Sequence, residues 1–341
     1  MKRFLCGVLL LSLLLSSCAG KVEKKQYNAT FLTLFDTVTT IVGKAESEEA
    51  FRAQAQAVHD ELLIYHQLFD IYNDYEGVVN LKAVNDRAGQ GPVAVDEKII
   101  RLLTDCKTYY DLTDGRVNVA MGSVLRLWHN ARNDGINDPA NAYLPDEEAL
   151  QEASLHTAFD AVIIDAKAGT VEITDPALRL DVGAVAKGWA VQQVAETAPE
   201  GLLISVGGNV CATGPKEKDV PWVVGIQNPN GGDKHLHTLY VSNSCVVTSG
   251  DYQRAYMVDG NLYHHIIDPD TLYPSRYWRS VSILCSNSGL ADALSTALFL
   301  LPMEEGQALL DKCGAEALWV DAEGALYYSP GFRQHIRTYM R

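Results

Sequence analysis

Asp292 and Thr296 stand four residues apart in an apolar stretch, Leu290 to Leu301. On a helix, that spacing puts a carboxylate and a hydroxyl on one face. Burying either group is costly unless it finds a partner. Magnesium is a fitting one, because it takes hard oxygen ligands and completes its shell with substrate phosphates. The same pair also fits a plainer arrangement, an Asp at a helix start and a Thr bonded back to its own backbone. Leu180-Asp181-Val182-Gly183-Ala184-Val185-Ala186-Lys187-Gly188 runs from a strand end into a helix start. Glycines there let a ligand approach the backbone, and a helix N-terminus offers free N–H groups to an anion. A tight connection uses the same residues. His264-His265-Ile266-Ile267-Asp268-Pro269 sets histidines on a strand before an Asp-Pro turn. An imidazole of ordinary pKa, about 6.5, can accept a proton near neutral pH; it can equally be a satisfied packing residue. Val206-Gly207-Gly208-Asn209 and Thr248-Ser249-Gly250-Asp251-Tyr252 read, taken alone, as turns.

The elements that position these groups follow from periodicity. Phe51, Ala55, Val58, Leu62, Tyr65 and Phe69 recur at steps of four and three, predicting a helix over Glu46–Phe69. A second helix spans Asp96–Tyr110, and others span Ala186–Glu196 and Leu290–Leu301. Ile71–Pro92 and Asn130–Asp146, rich in Asn, Asp, Gly or Pro, read as loops. Ala161–Asp165 and Thr170–Thr174 form a hairpin. Further strands are Leu178–Val182, Gly201–Val206, Trp222–Gln227, Leu239–Val247, Leu262–Ile267 and Ser280–Cys285, with a closing hairpin of Leu318–Val320 and Leu326–Tyr328. Helices early, strands later and few alternating units predict an α+β fold, a single compact body of mixed sheet and helices.

The chain has 341 residues and a net charge of −15. Its ordinary apolar content excludes wholesale disorder, and its length suffices for a sizeable core. The acidic balance argues against a nucleic-acid partner, which needs a basic surface. An anionic ligand would need a local pocket of donors or a metal ion. Lys2 and Arg3 precede an apolar run, Phe4 to Leu15, that is shorter than the ~20 residues of a spanning helix. Leu15-Ser16-Ser17-Cys18 then resembles a bacterial lipobox; an ordinary secretory signal with an incidental cysteine is the alternative. The expected organisation is a signal peptide over 1–17, lipidation at Cys18, a tether over 18–28 and one domain over 29–341. That places the protein outside the cytoplasm, lipid-anchored to the bacterial cell membrane. Cys106, Cys211, Cys245, Cys285 and Cys313 lack zinc-ligand spacing and read as free core thiols.

Taken together and in order, the motifs resemble the ApbE family, the FAD:protein FMN transferases. Phe35-Asp36-Thr37 is similar to the family's Met-Gly-Thr-type motif. Leu68 to Asn85 is similar to its Tyr/Trp-containing loop, and Thr113 to Trp128 to its Gly-x-Phe-Asp-x-Thr…Trp region. Leu180 to Ala190 is close to Leu-Asp-Leu-Gly-Gly-Ile-Ala-Lys-Gly-Tyr-Ala. Gly207-Gly208-Asn209, Thr248-Ser249-Gly250-Asp251, His265-Ile266-Ile267-Asp268-Pro269 and Ala291-Asp292-Ala293-Leu294-Ser295-Thr296-Ala297 follow in register. The resemblance implies Mg²⁺-dependent transfer of FMN from FAD to a Thr or Ser hydroxyl of an acceptor protein, releasing AMP. The acceptor would be an FMN-binding domain of a membrane or extracytoplasmic redox system. It implies Asp292, Thr296 and the carbonyl of Ala184 as Mg²⁺ ligands, with Ser295 as an additional contact. It implies Phe35, Tyr72, Arg116, Val117, Asn118, Asp181, Lys187 and Ile266 as FAD-contacting positions and His265 as general base. Asn118 stands where the family has Asp, Ala120 where it has Thr or Ser, Asp36 where it has Gly, and Leu272-Tyr273 where it has Thr-Gly. Two other readings use the same site: an FAD pyrophosphatase yielding FMN and AMP, and a non-catalytic tethered flavin-binding protein.

Overall fold

The computed structural model describes residues 23–232 and 234–337. The expected signal peptide, Cys18 and the first residues of the tether, 18–22, lie outside these residues. In chain order the elements are β1 (Lys25–Leu34), β2 (Thr37–Ala45), α1 (Glu48–Phe69), α2 (Leu81–Asp86), β3 (Val93–Ala94), α3 (Glu97–Leu112), α4 (Gly122–Asn137) and α5 (Glu147–Ser154). Then come β4 (Val162–Asp165), β5 (Thr170–Ile173), α6 (Ala186–Thr197), β6 (Leu202–Val206), β7 (Asn209–Ala212), β8 (Trp222–Ile226), β9 (His237–Val241) and β10 (Cys245–Gly250). The chain closes with β11 (Ala255–Val258), β12 (Asn261–His264), β13 (Ser280–Cys285), α7 (Ser288–Phe299), α8 (Met303–Cys313), β14 (Glu316–Val320) and β15 (Leu326–Tyr328).

An antiparallel sheet in the order β1-β2-β6-β7-β10-β13-β14-β15 is the backbone of the fold. Strand alternation sends neighbouring side chains to opposite faces. Cys245 and Val247 of β10, with Ile283 of β13, point into the large core under α1, α6 and α7. Val246 and Leu284, the residues between, point into a smaller core closed by the β8–β9 hairpin through Trp222, Val224, Ile226 and Leu239. β13 is therefore buried from end to end. A third cluster joins α4 to the β11–β12 hairpin through Trp128, Tyr256, Val258 and Leu272. Cys211, Cys245 and Cys285 lie side by side across β7, β10 and β13, all three as free thiols.

The α+β architecture is the one expected, with instructive differences. A strand hairpin, not a helix, opens the fold, and β1 begins at Lys25, inside the segment expected as tether. The 71–92 stretch contains α2, capped by Asn80, whose Oδ1 accepts from the Ala83 N–H at 3.1 Å. At six residues it is too short for an apolar stripe. α4 continues through the polar stretch after Asn130 because its buried face there is Ala131 and Gly135, residues small enough to leave no hydrophobic period. Leu178–Val182 is extended but carries only one bridge, Met121 to Arg179. The Asn85 amide takes the place of a strand neighbour, donating to the Leu180 carbonyl at 2.9 Å and accepting from its N–H at 2.7 Å. Leu239–Val247 is two strands in two sheets, broken where Asn243 adopts a φ of 48°.

α6 and α7 pack closely where Gly188 meets Asp292 and Ser288. A Cβ at position 188 would overlap the Asp292 Cβ and the Ser288 carbonyl oxygen, and both are fixed. Gly188→Ala should therefore lower stability by about 1–3 kcal/mol in equilibrium denaturant unfolding, well beyond the few tenths expected of an exposed helix position.

Candidate functional site

Asp292 lies on the second turn of α7, which Asn287 caps by accepting from the Leu290 N–H at 2.9 Å. Its side chain is buried, and Oδ2 accepts from the backbone N–H of Gly188 at 2.8 Å. Lys187 Nζ stands 4.0 Å from the same oxygen. Burial pushes the Asp292 carboxyl above its ordinary pKa, while the Lys187 charge and the Gly188 N–H pull the other way. Among the described residues Oδ1 receives no hydrogen bond.

The Gly188 bond has a second effect. In a continuous helix the Gly188 N–H would donate to the Ala184 carbonyl, four residues back. It is turned to Asp292 instead, and no donor among the described residues replaces it, so the Ala184 carbonyl is open. The hydroxyl of Thr296, one turn beyond Asp292, also forms no hydrogen bond among the described residues. The back-bonded hydroxyl is that of Ser295, which donates to the Asp292 carbonyl at 2.8 Å and lies 2.8 Å from Ser249 Oγ. A carboxylate oxygen, a carbonyl oxygen and a hydroxyl, each without a protein partner, make a donor set suited to Mg²⁺, which needs few protein ligands when phosphates supply the rest. No group of three or more His, Cys, Asp or Glu among the described residues forms a metal site of another type.

His265 follows β12. Its Nδ1 is buried without a partner. Burial lowers its pKa to about 3, reinforced by the nearby charges of Arg254, His264, Lys187 and Arg132. His264 has a different role. Its Nε2 lies 2.7 Å from the Ser275 carbonyl, its Nδ1 accepts from the Ile266 N–H at 3.2 Å, and its ring stands edge-on to Phe299. That fixes the backbone on either side of His265 and buries Ile266.

Asp181 accepts from the Gly183 N–H at 2.8 Å and holds the turn into α6. Lys187 donates to the Gly183 carbonyl at 3.2 Å across the same turn. Tyr72 is 54% exposed, and its ring stacks on His129 at 5.2 Å. Asp181, Arg132 and Arg254 all act electrostatically on its hydroxyl. Phe35 sits in the β1–β2 turn with a φ of 52°; its N–H donates to His66 Nδ1 at 3.2 Å. Arg116, Val117 and Asn118 are engaged by the protein itself. Arg116 pairs with Asp270 at 2.6 Å and Asp268 at 3.3 Å. The Val117 N–H donates to Thr113 Oγ1 at 3.1 Å. Asn118 donates to the Thr157 carbonyl and accepts from the Ala120 N–H, both at 2.9 Å. Arg116 and Asn118 line a cavity of about 330 Å³ with Tyr110, Thr157 and Asp270, and none of the residues around Asp292 is in its walls. The structure thus brings Asp181, Ala184, Lys187, Asp292 and Thr296 to the start of α6 and the facing turns of α7, and the charges of Lys187, Arg132 and Arg254 link them to His265 and Tyr72. It leaves the side chains of Arg116 and Asn118 committed elsewhere.

Sequence reasoning missed His129, Arg132 and Arg254. The first two lie on α4, whose polar composition hid its continuation, and Arg254 directly precedes β11. Asn85, the clamp on Leu180, was visible only as the end of a motif.

This fold and donor set define an enzyme of the flavin-transferase class. The ApbE family matches residues 35–319, and the chain belongs to that family. It is 32% identical over 354 aligned positions to the FAD:protein FMN transferase of Treponema pallidum (strain Nichols), covering 98% of this chain and 93% of that one. A second relative of the same name, from Klebsiella pneumoniae (strain 342), is 30% identical over 265 positions, covering 74% of this chain and 79% of the relative. The crystal structure of the ApbE protein of Thermotoga maritima has a TM-score of 0.82 at 30% identity, covering 92% of this chain and all of the other. The flavin transferase ApbE of Vibrio cholerae shares the fold at a TM-score of 0.74 and 21% identity, over 92% of this chain and all of the other.

Two outcomes follow from the electrostatics. An ionised, buried Asp292 destabilises the metal-free protein, because its folded pKa is raised: stability is greatest below the unfolded value and falls as pH rises through the folded one. Asp292→Asn should match or exceed the wild-type Tm without metal and lose the Tm rise on Mg²⁺ addition. In the wild type that rise corresponds to about 2.7 kcal/mol at a hundredfold excess over Kd. His265 has the opposite sign. Its lowered pKa makes stability full above about 6.5 and declining as pH falls toward 3. His265→Gln should flatten the stability–pH slope between pH 4 and 6 by one proton's share, about 1.4 kcal/mol per pH unit, read by urea unfolding.

Proposed function

We propose that this protein transfers FMN from FAD to a Thr or Ser hydroxyl of an acceptor protein, uses Mg²⁺, and releases AMP. The observation that carries the reading is the set of unpartnered oxygens on Asp292, Ala184 and Thr296, two charged steps from a buried, unpartnered imidazole, in a member of this family. When bound, Mg²⁺ would be held by those oxygens and would neutralise diphosphate charge. Lys187, beside Asp292, adds a fixed positive charge at the same end. The turn from Asp181 into α6 would offer a nucleotide backbone alone at Gly183.

The protein's part is positioning and proton handling, as in phosphoryl transfer generally. The acceptor oxygen attacks the phosphorus of the FMN half, the bond to the bridging oxygen breaks, and AMP leaves with the electron pair. His265 takes the hydroxyl proton. Held near pKa 3 in the free protein, it is neutral and able to accept at any physiological pH. The anionic substrate offsets the Arg254 and Lys187 charges that depress it, so its basicity rises once FAD is bound. Family membership and the intact donor set favour transfer over a purely flavin-binding role.

We further place the protein outside the cytoplasm, anchored by a lipid on Cys18, with its acceptor in a redox system on the same side of the membrane. What supports this is the sequence around Lys2, Arg3, Phe4 to Leu15 and Cys18. Cys18→Ala should move the protein from the membrane to the soluble fraction.

The deciding test mixes the protein with FAD, Mg²⁺ and an FMN-binding domain bearing the acceptor Thr, then measures the intact mass of the acceptor. A gain of one FMN is expected, abolished by EDTA and by Asp292→Ala. His265→Ala should slow its appearance about 10²–10⁴-fold while leaving FAD affinity nearly unchanged. Free FMN and AMP without an adduct would instead identify a hydrolase.

A further inference from the structure

Two arginines outside the family-derived site residues share its edge. α4 packs on β11, and the contact is close: a Cβ at Gly135 would come within 2.7 Å of the Tyr256 ring. The Tyr256 hydroxyl pins the arrangement by donating to the Tyr143 carbonyl at 2.9 Å. Arg132 lies one turn before Gly135 on α4, and Arg254 lies two residues before Tyr256. The packing therefore brings their guanidinium groups to one place.

Neither has an ion-pair partner among the described residues. Arg132 Nη2 reaches only His129 Nδ1, at 3.0 Å. By contrast, Arg116 and Arg279 each engage carboxylates directly. The Arg254 charge acts on Arg132 more strongly than the nearest carboxylate, Asp181, and adds to the effect of burial in lowering its pKa. Two adjacent cations without a counterion, in a protein of net charge −15, repel each other until an anion joins them.

Their position indicates which anion. Arg254, Lys187 and Arg132 all lie close enough to His265 to act on it, so the pair and Lys187, beside Asp292, share the surroundings of one imidazole. A diphosphate bound beside His265 would meet the charges of Lys187 and of both arginines. Next to Arg132, the exposed ring of Tyr72, backed by His129, offers a flat surface for a purine.

We propose that Arg132 and Arg254 bind the phosphate of the adenylate half of FAD and hold it as AMP departs; this deepens the transfer reading above and rests on it. When the acceptor oxygen bonds to the FMN phosphorus, the bridging oxygen leaves with the bonding electrons and remains on the adenylate phosphate. The charge that develops there meets two preplaced guanidinium groups. The acceptor proton goes to His265, so both products are accounted for.

The test is calorimetric titration of the full-length protein with AMP and with adenosine, each in the presence of Mg²⁺. Arg254 is exposed, so Arg254→Ala leaves the fold intact. AMP affinity should fall roughly 10–100-fold in that variant, and adenosine affinity should change by less than about twofold. Arg254→Lys should recover part of the loss, since it restores the charge without the fork. Arg132→Met should weaken AMP binding in the same direction. Unchanged AMP affinity in Arg254→Ala overturns the proposal. If acceptor KM rises instead, the pair docks the acceptor rather than the nucleotide, which overturns it as well. AMP binding needs no acceptor, whereas the transfer reading stands or falls on the acceptor mass gain in the wild type, so the two fail independently.

Discussion

One hydrogen bond organises this molecule: the Gly188 N–H to Asp292 Oδ2. It joins the first turn of α6 to the second turn of α7, the two helices that cover the centre of the main sheet. It gives a buried carboxylate a donor, which partly offsets the cost of its charge. It also withdraws the donor that would have closed the Ala184 carbonyl into the helix. A single exchange of partners thus leaves a carbonyl oxygen unpartnered at an ordinary helix start. Only glycine permits it, because the two helices touch where a side chain would stand.

Much of this was legible from residue types. The spacing of Asp292 and Thr296, the Asp181 to Gly188 turn and the histidine before an Asp-Pro turn are local signals, and local signals survive without coordinates. The long helices and the buried strands were legible for the same reason, since α1 carries its burial in its own periodicity and β13 in a short, mostly apolar run. What was lost depends on partners distant in sequence. Asn85 replaces a strand neighbour for Leu180 across 95 positions, so an extended segment looked like a strand. α4 buries Ala131 and Gly135 against a hairpin far along the chain, and small residues leave no hydrophobic trace. The β1–β2 hairpin was missed because its outer strand is largely exposed and polar. Sequence could assign Thr296 and Ser295 to one helix, but not which of the two hydroxyls would be back-bonded.

Charge is distributed against the average. The protein is acidic as a whole, yet Lys187, Arg132 and Arg254 gather around one buried imidazole, with Asp292 beside Lys187 and Asp181 acting on Arg132. Such local inversion costs folding free energy through repulsion and desolvation, and the packing of α4 on β11 maintains it. The field that adds to burial in lowering the His265 pKa is one that favours a polyanion.

The two halves of the site rest on different hydrophobic clusters. Asp292, Thr296 and Ala184 are fixed to the large core beneath the main sheet, whereas Arg132, on α4, and Arg254, just before β11, flank the Trp128–Tyr256 cluster, and His265 lies between Ile266 of the first core and the end of β12. The β11–β12 hairpin pairs with no strand of the main sheet. Regions with little buried surface open at lower free energy than the global transition. The oxygen-bearing half therefore persists as long as the protein is folded, and so does His265, held between His264 against Phe299 and Ile266 in the large core, while the arginine-bearing hairpin has its own opening equilibrium. Amide exchange would divide the site along that line, slow on α7 and faster on the hairpin, and the population of the closed hairpin would set an upper bound on the fraction of molecules able to turn over.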